Sequence, residues 1–382
     1  MKTVRFGIIG LGLMGRELAS AVARWCHLAD INVRPVITAI CDKAPPPGRI
    51  DWFKENFPTI KLVAADYREL IASPEVDAVY CAVPHNLHAE LYPAIIQAGK
   101  HLLGEKPFGI DLAANNAILA AVKANPRLVV RSSSEFPFFP AVQRMFRMVE
   151  EESFGRIFEV NSGFLHSSDL DPNKPINWKR LVKINGEYGA MGDLGMHACH
   201  FPFRMGWFPK NVRAILSKIV AQRPDGKGGM APCETWDNAT LLCESADPKS
   251  GAPFPLTIKT QRIAPGQKDT WHIEIFGTKA SARFSTKNPK CLELLEYKGG
   301  EQAWQHLDMS YESAFKTITG DIFEFGFSDA ILQMMASFFH EAANGKPIKP
   351  CAGCVTPEET AWSHRLFTAA LRSQKNASTE AV

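Results

Sequence analysis

Apolar positions follow two different rhythms along this chain. In residues 4–132, short unbroken apolar runs alternate with stretches whose apolar side chains recur at helical spacing. The runs at 4–9, 36–42, 61–64, 76–83, 101–103 and 128–132 read as buried strands, and that at 76–83 is broken only by Asp77. Between them, Met14, Leu18, Val22 and Trp25 mark a first helix, and further helices are predicted at 52–57, 67–72, 87–98 and 110–124. Pro45, Pro46, Pro47 and Gly48 read as a loop. Strands and helices in short-range alternation predict an α/β fold, a doubly wound parallel sheet over residues 1–132.

After a helix at 139–151 the texture changes to period two. Strands are predicted at 157–165, 212–221, 239–244, 255–262, 271–276 and 292–297. Several such strands and few helices imply an antiparallel sheet, and hence a second, α+β domain over 133–382. The Gly- and Pro-rich stretch 224–232 reads as a loop, 323–343 and 357–373 as helices, and 376–382 as a frayed end.

Composition mainly excludes. A chain of 382 residues with 46% hydrophobic and 22% charged residues can build two cores. Its 43 basic and 40 acidic residues leave a net charge of +3, spread without long runs, so neither nucleic acid nor a membrane surface is an expected partner. No apolar run reaches the roughly 18 residues of a membrane span, and a glycine turn interrupts the N-terminal apolar run, unlike a signal peptide. A cytoplasmic protein is expected. The nine cysteines are scattered, with Cys41, Cys81 and Cys243 in apolar strands, which suits free thiols in a reducing compartment. Cys351 and Cys354 have CxxC spacing but no second ligand pair, so a loop role is expected there and no metal site is assigned.

Three stretches carry chemistry in the first domain. Gly10-Leu11-Gly12-Leu13-Met14-Gly15 follows the first strand and opens the first helix. Gly10 permits the turn, Gly12 lets a pyrophosphate approach the backbone, and Gly15 lets helix and strand pack closely. Leu13 and Met14 then place their N–H groups at the helix N-terminus, where phosphates bind. Asp42 ends the second strand and suits hydrogen bonding to ribose hydroxyls, which favours NAD; Lys43 beside it softens the repulsion of a 2′-phosphate and keeps NADP open. Val83-Pro84-His85-Asn86-Leu87-His88 and Gly104-Glu105-Lys106-Pro107 follow the fourth and fifth strands, at the carboxyl edge of the sheet where ligands bind. Their position puts His85, His88 and Lys106 toward the nicotinamide end.

In the second domain, Asp193 and His197 are four apart in an apolar context and would share one face of a helix. A carboxylate beside an imidazole orients it and stabilises its protonated form, and such a histidine suits removing a hydroxyl proton as hydride leaves the same carbon. A core histidine satisfied by Asp193 is the alternative.

The glycine turn, the Pro84–His88 loop, Glu105-Lys106-Pro107 and Asp193-Leu194-Gly195-Met196-His197, in this order, resemble the Gfo/Idh/MocA oxidoreductase family over nearly the whole chain. The resemblance implies a Rossmann domain plus a domain with a large, open, mostly antiparallel sheet that commonly forms the oligomer interface, hence a homodimer or homotetramer. It implies that Lys106 bonds the reacting hydroxyl, that His197 is the general acid/base, and that Asp193 binds substrate or supports His197. Pro84 and His88 would border the nicotinamide, and Trp178-Lys179 would touch the cofactor. Three positions depart from the family pattern. His85 stands where Asn is frequent, Lys179 where Arg is frequent, and His200 where many members have Asp, which alters polyol recognition. The expected function is an NAD(P)-dependent dehydrogenase of a sugar, polyol or sugar derivative. The alternatives are a redox-neutral glycosidase or lyase on the same fold, and a non-catalytic sugar or nucleotide sensor.

Overall fold

The computed structural model describes residues 1–382 except Ser310, Tyr311, Asp321 and Glu324. The chain divides into two compact units. The first holds residues 1–109, 113–139 and 313–357, the second 110–112, 140–312 and 358–382. A division in chain order at residue 132 thus differs from the observed grouping, in which a late segment returns to the first unit.

The first unit is built on a six-stranded parallel sheet. Its strands are β1 (Lys2–Ile9), β2 (Val33–Cys41), β3 (Leu62–Ala64), β4 (Ala78–Cys81), β5 (His101–Gly104) and β6 (Val130–Ser132), in the order β3-β2-β1-β4-β5-β6. The connecting helices are α1 (Leu13–Ala23), α2 (Arg49–Asn56), α3 (Tyr67–Ala72), α4 (His88–Gln97) and α5 (Leu112–Ala124). The order reverses at β1 and β4, and the loops after these strands lie at that switch point, where doubly wound sheets bind ligands.

The second unit holds α6 (Pro140–Glu150), β7 (Ile157–His166), the single-turn α7 (Val182–Asn185) and α8 (Met196–Arg204). Strands β8 (Asn211–Ser217), β9 (Gln222–Pro224), β10 (Met230–Pro232), β11 (Asn238–Ala246), β12 (Pro253–Gln261), β13 (Asp269–Gly277), β14 (Ala280–Ser285), β15 (Cys291–Glu296) and β16 (Gln305–Asp308) follow. The nine-stranded sheet runs β16-β15-β14-β13-β7-β12-β11-β8, with a short last strand at its end, and only the β7–β12 pairing is parallel. Burial alternates residue by residue along β11 and β12, so one face packs into a core. Phe146 of α6 stacks on Phe201 of α8 at 4.2 Å there. On the other face Phe158, Ile215 and Leu242 are exposed.

Among the late elements, α9 (Phe327–Asn344) belongs to the first unit and α10 (Pro357–Asn376) almost wholly to the second. Phe339 of α9 meets Phe6 at 5.0 Å and Trp25 at 5.9 Å, which is why the late segment rejoins the first unit. The helix expected from residue 323 begins instead at Phe327: Asp329 accepts the Gly326 N–H at 2.9 Å and caps it. Glu324 lies outside the described residues. Two further expectations are corrected. The stretch 224–232 is not all loop, since its ends belong to the β9–β10 hairpin. The end 376–382 is not frayed, because β17 (Glu380–Ala381) pairs with β8 and takes the sheet edge. The Cys351–Cys354 turn is tied to α9, with Ser337 Oγ donating to Ala352 O at 2.5 Å and Cys354 Sγ to Met334 O at 3.4 Å.

Candidate active site

The three glycines of the turn fall into two kinds. A Cβ on Gly10, whose φ is +93°, would lie 2.2 Å from Ala82 O, and one on Gly15 2.2 Å from Gly10 O. Both positions exclude a side chain because backbone passes there. A Cβ on Gly12 would meet nothing within 4 Å. That open space beside exposed Gly12 and Leu13, at the start of α1, is a cradle that fits a dinucleotide pyrophosphate on unpaired helix N–H groups. Asp42 Oδ2 accepts the Leu11 N–H at 2.8 Å and Oδ1 the Ala44 N–H at 2.9 Å, so the carboxylate is fixed against the turn with lone pairs left for ribose hydroxyls. Met14 is half-buried and Lys43 exposed.

After β4, Val83 and Pro84 are half-buried, whereas His85 and His88 are buried. His88 Nδ1 accepts the Gly109 N–H at 3.3 Å, which leaves Nε2 to donate to Val83 O at 3.1 Å. Its ring stacks on Tyr92 at 4.4 Å. His88 therefore holds the shape of the Val83–Pro84 loop. After β5, Glu105 is buried and accepts from the Tyr80 hydroxyl at 2.6 Å, while its carbonyl takes the Tyr92 hydroxyl at 2.8 Å. Burial, then the Glu105 charge, pushes the Tyr80 hydroxyl well above the usual phenol range, so it stays a donor. The half-buried Lys106 follows, joined to Pro107 by a cis peptide.

In the second unit, Asp193 lies in a π-helical turn, Met191–Gly195, that runs straight into α8. This segment is π-helical, whereas the spacing of Asp193 and His197 predicted a plain α-helix over both. Gly195 is required there, because a Cβ would lie 2.5 Å from Phe367 Cζ. Asp193 is 1% exposed and sits between two cations. Lys179 Nζ reaches its oxygens at 3.2 and 3.3 Å, and Arg262, just past β12, forms the second ion pair. Lys179 also lies over the Trp178 ring, 5.6 Å from its centroid. Lys179 of the Trp178-Lys179 pair thus bears directly on Asp193.

His197, 5% exposed, presents its ring edge-on to Phe164 at 5.3 Å, and its carbonyl accepts Trp271 Nε1–H at 2.9 Å. His200 is buried and its Nε2 takes a hydrogen bond from Arg204 Nη2 at 3.1 Å, while Arg204 pairs with Glu359. Because an arginine only donates, that nitrogen is an acceptor.

Sequence reasoning missed Arg262 and the buried array behind it. Arg180 bridges Asp237, at 2.5 Å, and Asp169. Lys174 also reaches Asp169, at 3.1 Å. Arg262 Nη1 donates to Ser168 Oγ at 3.2 Å. Burial, and then repulsion from Arg180, pulls the Arg262 guanidinium down to about 9, and the Asp193 carboxylate is its ion-pair partner. No local motif marks these residues. Among the described residues no cluster suited to a metal ion occurs.

The NAD-binding Rossmann-fold profile of the oxidoreductase family matches residues 4–132, and the GFO/IDH/MocA C-terminal domain matches residues 142–283. Levoglucosan dehydrogenase of Pseudarthrobacter phenanthrenivorans is 28% identical over 305 residues, covering 75% of this chain and 74% of that one. Inositol 2-dehydrogenase of Rhizobium meliloti is 24% identical over 351 residues, 91% of each chain. A levoglucosan dehydrogenase structure in complex with NADH and levoglucosan superposes over 100% of both chains with a TM-score of 0.88 at 23% identity, which speaks for the fold. The chain belongs to the Gfo/Idh/MocA family of NAD-binding oxidoreductases.

Proposed function

We propose that this oxidoreductase removes hydride from a secondary carbinol carbon of a sugar, polyol or sugar derivative, with Lys106 and His197 handling the hydroxyl proton. The observation that carries the reading is the buried Asp193, held as a carboxylate between Lys179 and Arg262, with His197 buried four residues on. A carboxylate so held accepts hydrogen bonds from substrate hydroxyls and does not itself deliver a proton. The levoglucosan and inositol dehydrogenases among the relatives supply the substrate class.

NAD, bound on the turn from Gly10 to Gly15 with Asp42 at its ribose and Val83, Pro84, His85, Glu105, Trp178 and Lys179 at its nicotinamide side, supplies the hydride acceptor. Lys106 Nζ donates to the reacting oxygen and lowers the pKa of that hydroxyl. An imidazole nitrogen of His197 takes the O–H proton as the C–H bond breaks, leaving a ketone. His200, lying one helical turn on, contacts another hydroxyl. The exposed apolar residues of the open sheet face, Phe158, Ile215 and Leu242, serve self-association as a homodimer or homotetramer.

The test follows nicotinamide absorbance in the near ultraviolet. Protein and NAD are mixed with free sugars, inositols, sugar acids and aryl glycosides. Steady NADH accumulation with one class of alcohol establishes the reading and names the substrate group. Aglycone release without net NADH overturns it in favour of the redox-neutral glycosidase.

A further inference from the structure

The glycine turn is held from a side that no motif marks. Arg49, the first residue of α2, donates Nη1 to Leu11 O at 2.8 Å and to Gly12 O at 3.1 Å. Leu11 is therefore gripped twice, at its N–H by Asp42 and at its carbonyl by Arg49. The loop of residues 43–48 that carries the chain from Asp42 to Arg49 folds back so that both side chains reach the same residue, one at each of its two flanking peptides. One helical turn along α2 from Arg49, Trp52 lies under the Arg16 guanidinium, 6.0 Å from the ring centroid. Neither Arg16 nor Arg49 forms an ion pair among the described residues, and Arg16 Nε is buried without a hydrogen-bond partner.

Two uncompensated guanidinium groups beside a phosphate-binding turn have a chemical consequence. An arginine bonded only to neutral carbonyls gains more from an anion, since charge-assisted bonds are roughly twice as strong as neutral ones. Asp42 ordinarily repels a 2′-phosphate at this strand end. Here both of its oxygens already accept backbone N–H groups, which neutralises part of that repulsion.

We propose that Arg49 is a cofactor-specificity residue: it holds the glycine turn through Leu11 and Gly12, and it turns to the 2′-phosphate of a phosphorylated nicotinamide dinucleotide, so that the site takes both forms. The inference rests on dinucleotide binding by this turn and not on the identity of the alcohol.

The test is fluorescence titration of NADH and NADPH into substrate-free protein, comparing wild type, Arg49→Gln and Arg49→Lys. For wild type the NADPH dissociation constant stays within about 30-fold of that for NADH; a larger ratio overturns the proposal. Arg49→Gln raises that ratio by about 5-fold or more, the loss of one charge-assisted contact, and Arg49→Lys restores most of it. A glutamine variant that weakens both cofactors equally, or neither, also overturns it, since a mere loop clamp does not discriminate. The wild-type ratio stands as a readout even where a variant fails to fold. No substrate is present, so absent turnover with an intact ratio counts only against the dehydrogenase reading. A shifted wild-type ratio with turnover intact counts only against this proposal.

Discussion

The glycine turn of the first unit and the Asp193 centre of the second are built by opposite means. At the turn, the ligand-facing groups are backbone N–H groups of consecutive residues, and the side chains around them, Asp42 and Arg49, hold the peptide in place. Around Asp193, the polar groups are side chains from positions far apart in the chain: Lys179, Asp193 and Arg262, backed by Asp169, Arg180 and Asp237. A backbone site depends on which positions lack a Cβ. A side-chain site depends on every buried charge keeping its partner, because an uncompensated buried ion costs several kcal/mol.

The largest effect expected is on turnover. Lys106→Ala and His197→Ala should each lower kcat by at least about 100-fold, the usual share of a proton-transfer group, with the NADH dissociation constant changed by less than about 3-fold. Retention of kcat in both variants, measured by steady-state kinetics, would remove the catalytic assignment and leave the second unit a binding site.

Next come the glycines. Gly15→Ala puts a methyl 2.2 Å from a backbone oxygen, and should destabilise the ligand-free protein by about 3 kcal/mol. Gly12→Ala meets only open space, so its melting temperature without ligand should match wild type while NADH binding weakens about 10-fold. Equal losses of ligand-free stability in the two variants would erase the distinction between packing and ligand glycines.

Arg262→Gln probes the other kind of site. Removing one of two cations from a buried carboxylate should cut kcat/KM about 10- to 30-fold and leave NADH binding unchanged. Asp193 then protonates more easily, so the acid limb of the kcat/KM profile moves to higher pH, and Arg262→Lys reverses part of the shift. A drop in stability without movement of the pH profile would make Arg262 a structural residue alone.

The smallest effect concerns stability alone. Burial, with help from Lys259, holds His272 of β13 down at about 4. The unfolded chain takes up that proton near 6.5, so the contribution is complete above pH 6.5 and is lost as pH falls toward 4. His272→Gln should flatten the stability profile in that window by up to about 3 kcal/mol, read by denaturant titration at several pH values. An unchanged slope would assign acid sensitivity to other groups.

How far the molecule was legible differs in the same way between the two regions. The parallel sheet could be read because each buried strand is a continuous apolar run and each connection is short. The glycine turn could be read because its requirement spans six residues. Short strands such as β14, β16 and β17 were missed because they depend on a neighbour's hydrogen bonds more than on their own pattern. The helical spacing of Asp193 and His197 was visible, whereas the π-helical form of Met191–Gly195 and the Phe367 ring against Gly195, far along the chain, were not.

What the amino-acid order determined by itself was therefore local: the two periodicities, the nucleotide turn, and the positions of Lys106, Asp193 and His197. Tertiary structure alone decided that residues 313–357 rejoin the first unit, that Arg49 grips Leu11, and that Arg262 and Lys179 share Asp193. The physical reason is the range of the forces that act. Backbone geometry and burial periodicity are set within a turn or a strand. Compensation of a buried charge is met by whichever cation the finished fold brings within ion-pair distance, and nothing in its neighbours along the chain announces which one that is.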